Sequence, residues 1–229
     1  MAYGFEINIK DREAKAAKLE AIAQNDGEID GIKVMEDVQF TDSYLIQLLP
    51  ISNSQNGYKF KLAAENSTNP HPLDVLLERQ DIFVATDIAR FIVHEDDLKQ
   101  GSGRMQSYYD GSLFTTADEE SINAVLNGKG FYKTNIKEYI NNYPFIFDEN
   151  APRTQPLGVA APEVVKNSYG TLHGFKPFMS GSQIISGRNS NEFKLDVSTW
   201  AGFNAEAGVG FTNYVAVAML GFLGKGAAL

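Results

Sequence analysis

The sequence predicts a mainly β protein, a sandwich or barrel with two short helices in its connections. Three observations lead there. Many short segments alternate apolar and polar residues, the period of two that marks a strand with one buried face. Turn-forming residues separate those segments, with 20 Gly and 8 Pro in 229 residues. The aromatic residues, 15 Phe and 10 Tyr against one Trp, suit pleated surfaces. Roughly ten short strands at this spacing favour a sandwich or barrel over a βαβ architecture.

The first 27 residues read as an arm and a helix. Phe5, Ile7 and Ile9 alternate with Glu6, Asn8 and Lys10, a short strand or extended arm. Asp11 to Gln24 is rich in Ala, Lys and Glu, with Asp11 placed to cap it and Asn25-Asp26-Gly27 to stop it. Its apolar face is thin, which suits a peripheral helix. Residues 28–229 then form one β domain.

Within that domain Ile29 to Gln39 alternates weakly and reads as a strand. Tyr44 to Leu49 is a stronger strand, ended by Pro50. Asn56-Gly57 is the clearest hairpin signal in the chain, and Tyr58, Phe60 and Leu62 supply the returning strand. Leu73 to Glu78 reads as one helical turn. Ile82 to Ala85 and Arg90 to Val93 are two strands or one bent strand, and Glu95 to Gln106 is a polar loop. Thr116-Ala117-Asp118-Glu119 has capping-box spacing, so Thr116 to Asn127 is the second helix, with Gly128 at its C′ position. Gly130 to Lys133, Lys137 to Ile140, Pro144 to Phe147, Phe175 to Met179 and Gln183 to Ile185 are short strands, and Asp148 to Pro162 is a long connection. Phe193, Leu195 and Val197 alternate with Lys194, Asp196 and Ser198. After a Gly- and Ala-rich segment, Tyr214 to Leu223 runs without a charge, the most apolar strand, expected to close the core.

Composition removes several classes of function. There is no Cys, hence no disulfide, thiolate metal site or Cys nucleophile. The net charge of −9 and the scatter of the 20 Lys and Arg argue against direct nucleic-acid binding. Met1 to Lys10 lacks the pattern of a signal peptide. The apolar C-terminal run falls short of the roughly 20 residues a membrane helix needs.

No spacing singles out a catalytic, cofactor-binding or metal-binding set, and the chain is read as a non-enzyme. His71, His94 and His173 show no metal-ligand spacing. His94-Glu95-Asp96-Asp97 has hard ligands for a divalent cation, yet contiguous carboxylates rarely converge, and a solvated loop is the preferred reading. Gly101-Ser102-Gly103-Arg104 offers amides and a guanidinium to a phosphate but lacks the strand and helix of a phosphate loop, so it reads as a surface turn. Asp110-Gly111-Ser112 is not a nucleophile elbow. Tyr108, Tyr109, Tyr132, Tyr139 and Tyr143 either line a sugar-binding face or are ordinary strand aromatics, the latter preferred.

Three stretches carry a resemblance. Arg79-Gln80-Asp81-Ile82-Phe83-Val84-Ala85-Thr86-Asp87-Ile88-Ala89-Arg90-Phe91-Ile92 bends at a small polar break and resumes. Met105 to Lys133 holds an aromatic turn at Tyr108-Tyr109-Asp110, then Phe114, a short helix, and Leu126-Asn127-Gly128-Lys129-Gly130-Phe131. Asn213 to Lys225 ends on Gly221-Phe222-Leu223-Gly224-Lys225. Together, over less than half of the chain, they resemble jelly-roll coat proteins of tailless icosahedral bacteriophages. The resemblance implies a jelly-roll β-sandwich or barrel, and a capsid subunit of the virion that self-assembles into trimers, pentamers or a larger shell. It implies other virion proteins as partners, the N-terminal arm reaching a neighbour, and the acidic chain lying against protein or lipid rather than the genome. Double-barrel members of this lineage hold two jelly rolls in one chain, whereas this length suits one. Two other readings stand beside it: a carbohydrate- or cell-surface-binding β-sandwich module, and a β-sandwich hydrolase using two carboxylates.

Overall fold

The computed structural model describes residues 28–29, 32–34, 38–134, 137–143, 153–155, 163–165, 175–177, 183–188 and 191–227. The expected arm at Phe5 to Lys10, the helix at Asp11 to Gln24, the strand at Pro144 to Phe147 and His173 lie outside them.

Strands β1 (Glu28–Ile29) and β2 (Ile32–Lys33) form a small antiparallel pair where one strand was expected from Ile29 to Gln39. Strand β3 (Phe40–Pro50) is followed by β4 (Gly57–Lys61), a 3₁₀ turn at Ala64–Asn66, the long β5 (Ile82–Asp96) and β6 (Arg104–Gln106). Helix α1 (Glu119–Leu126) leads into β7 (Lys129–Thr134) and β8 (Lys137–Tyr143). Strands β9 (Arg153–Gln155) and β10 (Glu163–Val165) pair with each other. Then come β11 (Lys176–Pro177), β12 (Gln183–Ser186), β13 (Glu192–Asp196) and β14 (Phe211–Gly224).

Two antiparallel sheets face each other, as in a β-sandwich. The larger runs β11-β5-β14-β3, with β12 and β6 also on β5, and the smaller runs β4-β13-β7-β8. One core lies between them. Tyr58 and Phe60 of β4 and Phe193 and Leu195 of β13 meet Phe83 and Ile92 of β5 and Val215 and Met219 of β14. The alternation of β4 and β13 is therefore the core-and-solvent alternation the sequence suggested. The large sheet differs, because its other face is buried too: Ile46, Leu48, Phe91, Val93, Ala216 and Ala218 form a second cluster there. A strand buried on both faces needs apolar residues at every position. That is why Tyr214 to Leu223 carries no charge.

Strand β5 is one bent strand. Leu220 pairs with Asp87 and Gly221 with Ala85, which leaves Thr86 as an extra residue in a β-bulge. The bulge shifts side-chain parity, so Phe83 and Ala85 face the central core before it and Ile88 and Ile92 after it. The Thr86 hydroxyl donates to Asp87 Oδ2 at 2.6 Å. Gly221 is required opposite, where a Cβ would overlap the Val84 carbonyl. The polar break at Thr86-Asp87 is thus the point where the strand changes face.

Other expectations are corrected. Asn56-Gly57 does not close a β3–β4 hairpin: β3 pairs with β14 and β4 with β13, and residues 51–56 carry the chain between the sheets. The Asn56 carbonyl instead accepts Val197 N–H at 2.9 Å. The local turn signal loses to the core, because only pairing with β13 sets Tyr58 and Phe60 beside Phe193 and Leu195. Leu73 to Glu78 is not helical. Val75 and Leu77 make single bridges to Ile46 and Ala63, the first covering part of the β3 edge. Helix α1 starts at Glu119 with Asp118 as N-cap, so Thr116 is not its cap. The Thr116 hydroxyl turns to the Glu206 carbonyl. Gly128 is needed for close approach: a Cβ there would stand 2.7 Å from the Asp196 carbonyl oxygen. Arg90, on the core side of β5, donates to Gly128 O at 2.8 Å, placing a cation at the C-terminal end of α1 where helix carbonyls concentrate negative charge.

Candidate functional site

The loops 51–56, 97–103, 107–118 and 197–210 gather at one end of the sandwich. Two polar knots hold them. The first continues the inner faces of β5 and β14 beyond Ile92 and Val215. Asn213 Nδ2 donates to Ala205 O at 2.9 Å, so Asn213 Oδ1 faces His94 Nδ1 at 2.7 Å and accepts its proton. The His94 ring stacks on Phe211 at 4.9 Å and meets the edge of Phe114 at 5.9 Å. Asn53 joins the next loops. Its Oδ1 accepts Ala205 N–H at 2.7 Å and Glu206 N–H at 3.1 Å, and its own N–H donates to Glu206 Oε1 at 2.7 Å. Asn204 extends the knot to the helix, accepting Asp118 N–H at 2.8 Å and donating to the Thr116 carbonyl at 2.7 Å.

The second knot lies on the other face of β5. Glu95 is 2% exposed. Its Oε2 accepts His71 Nε2–H at 2.6 Å, and its Oε1 accepts the amides of Gly101 at 2.6 Å and Gly103 at 3.0 Å. His71 Nδ1 accepts Leu73 N–H at 3.2 Å, which leaves Nε2 as the ring nitrogen that donates to Glu95. Burial alone would raise the Glu95 pKa. The Gly103 amide, the His71 ring and the Gly101 amide outweigh it and hold the carboxyl below its ordinary value. Asp74 bridges the same loop to β3, accepting Leu48 N–H at 2.8 Å and His71 N–H at 2.9 Å. Burial dominates there and raises its pKa against those bonds. Burial likewise raises Tyr214, whose ring lies 4.8 Å from His71, with the Glu95 charge adding to the shift.

These knots redistribute the residues singled out in the sequence. His94-Glu95-Asp96-Asp97 is not a solvated loop: β5 runs through Asp96, and His94 and Glu95 point to opposite faces. Among the described residues no three His, Asp or Glu side chains converge as a metal site. The Gly101 and Gly103 amides do hold an anion, and it is the chain's own Glu95, while the Ser102 amide donates to the Lys99 carbonyl. Gly101 adopts φ +89°, and a Cβ on Gly103 would overlap Val93. Asp110 and Ser112 form a local turn, with Asp110 Oδ1 accepting Ser112 N–H at 2.9 Å and its hydroxyl at 2.6 Å. Tyr109 packs against the core and stacks on Phe114, with its hydroxyl directed to the Phe114 and Ala117 carbonyls. It is part of the interior wall. Tyr132, Tyr139 and Tyr143 lie in β7 and β8, and their side chains are outside the described set. Asn53, Asn204 and Asn213 were not anticipated. Only Asn213 left a trace, as an amide at the head of an apolar run.

The knots present apolar side chains to solvent. Val209 is fully exposed, Leu98 is 93% exposed and Phe211 45%. The loops that carry them are pinned together: Asp97 N–H donates to Gly210 O at 3.1 Å, and the Thr212 hydroxyl donates to Asp97 Oδ1 at 2.7 Å. Asp97, Asp118, Glu119 and Glu120 are exposed on the same end. The site is thus a hydrogen-bonded rim of apolar knobs bordered by carboxylates. No family model, curated protein or solved structure matches the chain.

Proposed function

We propose that this chain is a jelly-roll coat subunit, assembling with copies of itself and other virion proteins into a shell, and acting by contact without a cofactor. The pairing pattern supports the fold half of this reading. Number the eight strands β3, β4, β5, β7, β8, β12, β13 and β14 from one to eight. The pairs are then 1 with 8, 2 with 7, 3 with 6 and 4 with 5. That is one long antiparallel ribbon folded back on itself. Rolling it up adds 8 against 3 and 7 against 4, and both pairs are present. Two sheets of order 1-8-3-6 and 2-7-4-5 are what a jelly roll requires, and coat proteins, lectins and cupins share that architecture.

A fold shared so widely does not fix a function. The observation that carries the shell reading is the loop end. Leu98, Val209 and Phe211 stand in water on loops already ordered by the Asn53, Glu95 and Asp97 hydrogen bonds. Exposed apolar groups on pre-ordered loops mark a protein-contact surface, because little entropy remains to be lost on binding.

The test is the solution mass of the full chain by light scattering after size exclusion, with negative-stain images of the same peak. Trimers, pentamers or closed shells are expected, and Val209→Lys with Leu98→Lys should yield a folded monomer. A wild-type chain that stays monomeric across the accessible concentration range would overturn the reading. Glycan binding by that monomer would transfer the assignment to a carbohydrate-recognition module.

A further inference from the structure

The described part of the small sheet's outer face is basic in an acidic chain. Register places Lys59 directly across from Lys194, Lys61 across from Glu192, and Lys129 across from Asp196. Among the residues of this face whose side chains are described, four lysines stand with two carboxylates, a net +2 within a chain of −9. Lys194 pairs with its own-strand neighbour Asp196 at 2.7 Å. Lys59, Lys61 and Lys129 are exposed and form no ion pair among the described residues.

We infer that this lysine face is the seat for the loop end of a second copy of the chain, an inference that rests on the assembly reading above. The charges favour that occupant. Subunits of net −9 repel one another at long range unless regions of opposite sign meet. The loop end presents Asp97, Asp118, Glu119 and Glu120 around Leu98 and Val209. Carboxylates suit the ammonium groups, and lysine stems offer hydrocarbon for the apolar knobs to rest on. The two surfaces are different parts of the subunit, so the contact is head-to-tail. Such contacts close into rings when the rotation between neighbours permits it.

The experiment uses two charge reversals in the full chain, K59E/K61E on the face and E119K/E120K on the end. All four residues are exposed, and circular dichroism checks that each variant is folded. Each variant alone should lose assembly, with the apparent association weakened at least about tenfold at low salt, and mixing the two should restore it, because each supplies the partner the other lacks. Wild-type assemblies should also dissociate in about 1 M NaCl, where the Debye length is about 3 Å. If wild type assembles but both variants do so equally well, the lysine-face contact is wrong while the coat reading stands. If wild type never assembles, the coat reading itself fails, and this contact with it. Tight binding of a fluorescent poly-dT oligonucleotide, lost in K59E/K61E, would assign the face to a polyanion and overturn the second-copy assignment.

Discussion

His71 and Glu95 are 24 residues apart in sequence and 2.6 Å apart through Nε2 and Oε2. That bond joins the loop before β5 to the strand's far end, and the other Glu95 oxygen ties down the turn at Gly101 and Gly103. A Gln at position 95 keeps the shape but cannot accept from His71 and both glycines as the carboxylate does. Glu95→Gln should lower the unfolding free energy by about 1–3 kcal/mol, the range for a buried hydrogen-bonding group left unsatisfied. Urea denaturation at neutral pH measures it.

Acid should destabilise the fold through the same residue. The folded-state pKa of Glu95 is lowered, so its contribution is complete above the ordinary carboxylate value near 4.3 and is lost as pH falls through the lower folded value. Asp74, whose folded pKa is raised, acts in the opposite sense. Between its ordinary and raised values the folded state binds the extra proton, and stability rises as pH falls. A stability profile should therefore show a weak gain on mild acidification and a loss at stronger acid. Glu95→Gln should flatten the loss, and Asp74→Asn the gain.

Gly221→Ala should be among the most damaging single substitutions. The new methyl group would collide with the Val84 backbone, which the bulge at Thr86 holds in place. A cost of about 3–5 kcal/mol is expected, the range in which single substitutions reveal a specific steric fault. Thermal unfolding, or the soluble yield if the variant fails to fold, provides the reading.

Asn53→Ala should loosen one end of the molecule while sparing the core. It strips acceptors from the amides of Ala205 and Glu206. Hydrogen exchange at those two amides should rise well above wild type, with protection along β14 retained. Under the proposed function assembly should weaken too, because Val209 would ride on a less ordered loop.

Much of this fold was legible because its alternations are local. Phe193, Leu195 and Val197 are buried as their spacing foretold, and the uncharged run from Tyr214 marked a strand apolar on both faces. Strand partners were harder to read. Asn56-Gly57 promised a neighbouring hairpin, yet β4 pairs with a strand some 130 residues downstream, chosen by packing that no local window contains. The site was less legible still. Glu95 looked like one carboxylate among several in a polar stretch. Its burial depends on His71, Gly101 and Gly103 converging on it, with the His71 ring packed on Tyr214 of β14. Asn53 and Asn204 are ordinary loop residues until the chain sets them side by side.

The central position of β14 also bears on synthesis. Both β3 and β5 use β14 as their shared partner in the large sheet. While the ribosome has not yet delivered residues 211–224, those two strands exist without it, each with a row of backbone groups seeking a mate. Such edges are what chaperones shield and what aggregates recruit. Any product that stops before residue 211 should therefore be found in inclusion bodies or bound to a holdase, however well its remaining strands could pair.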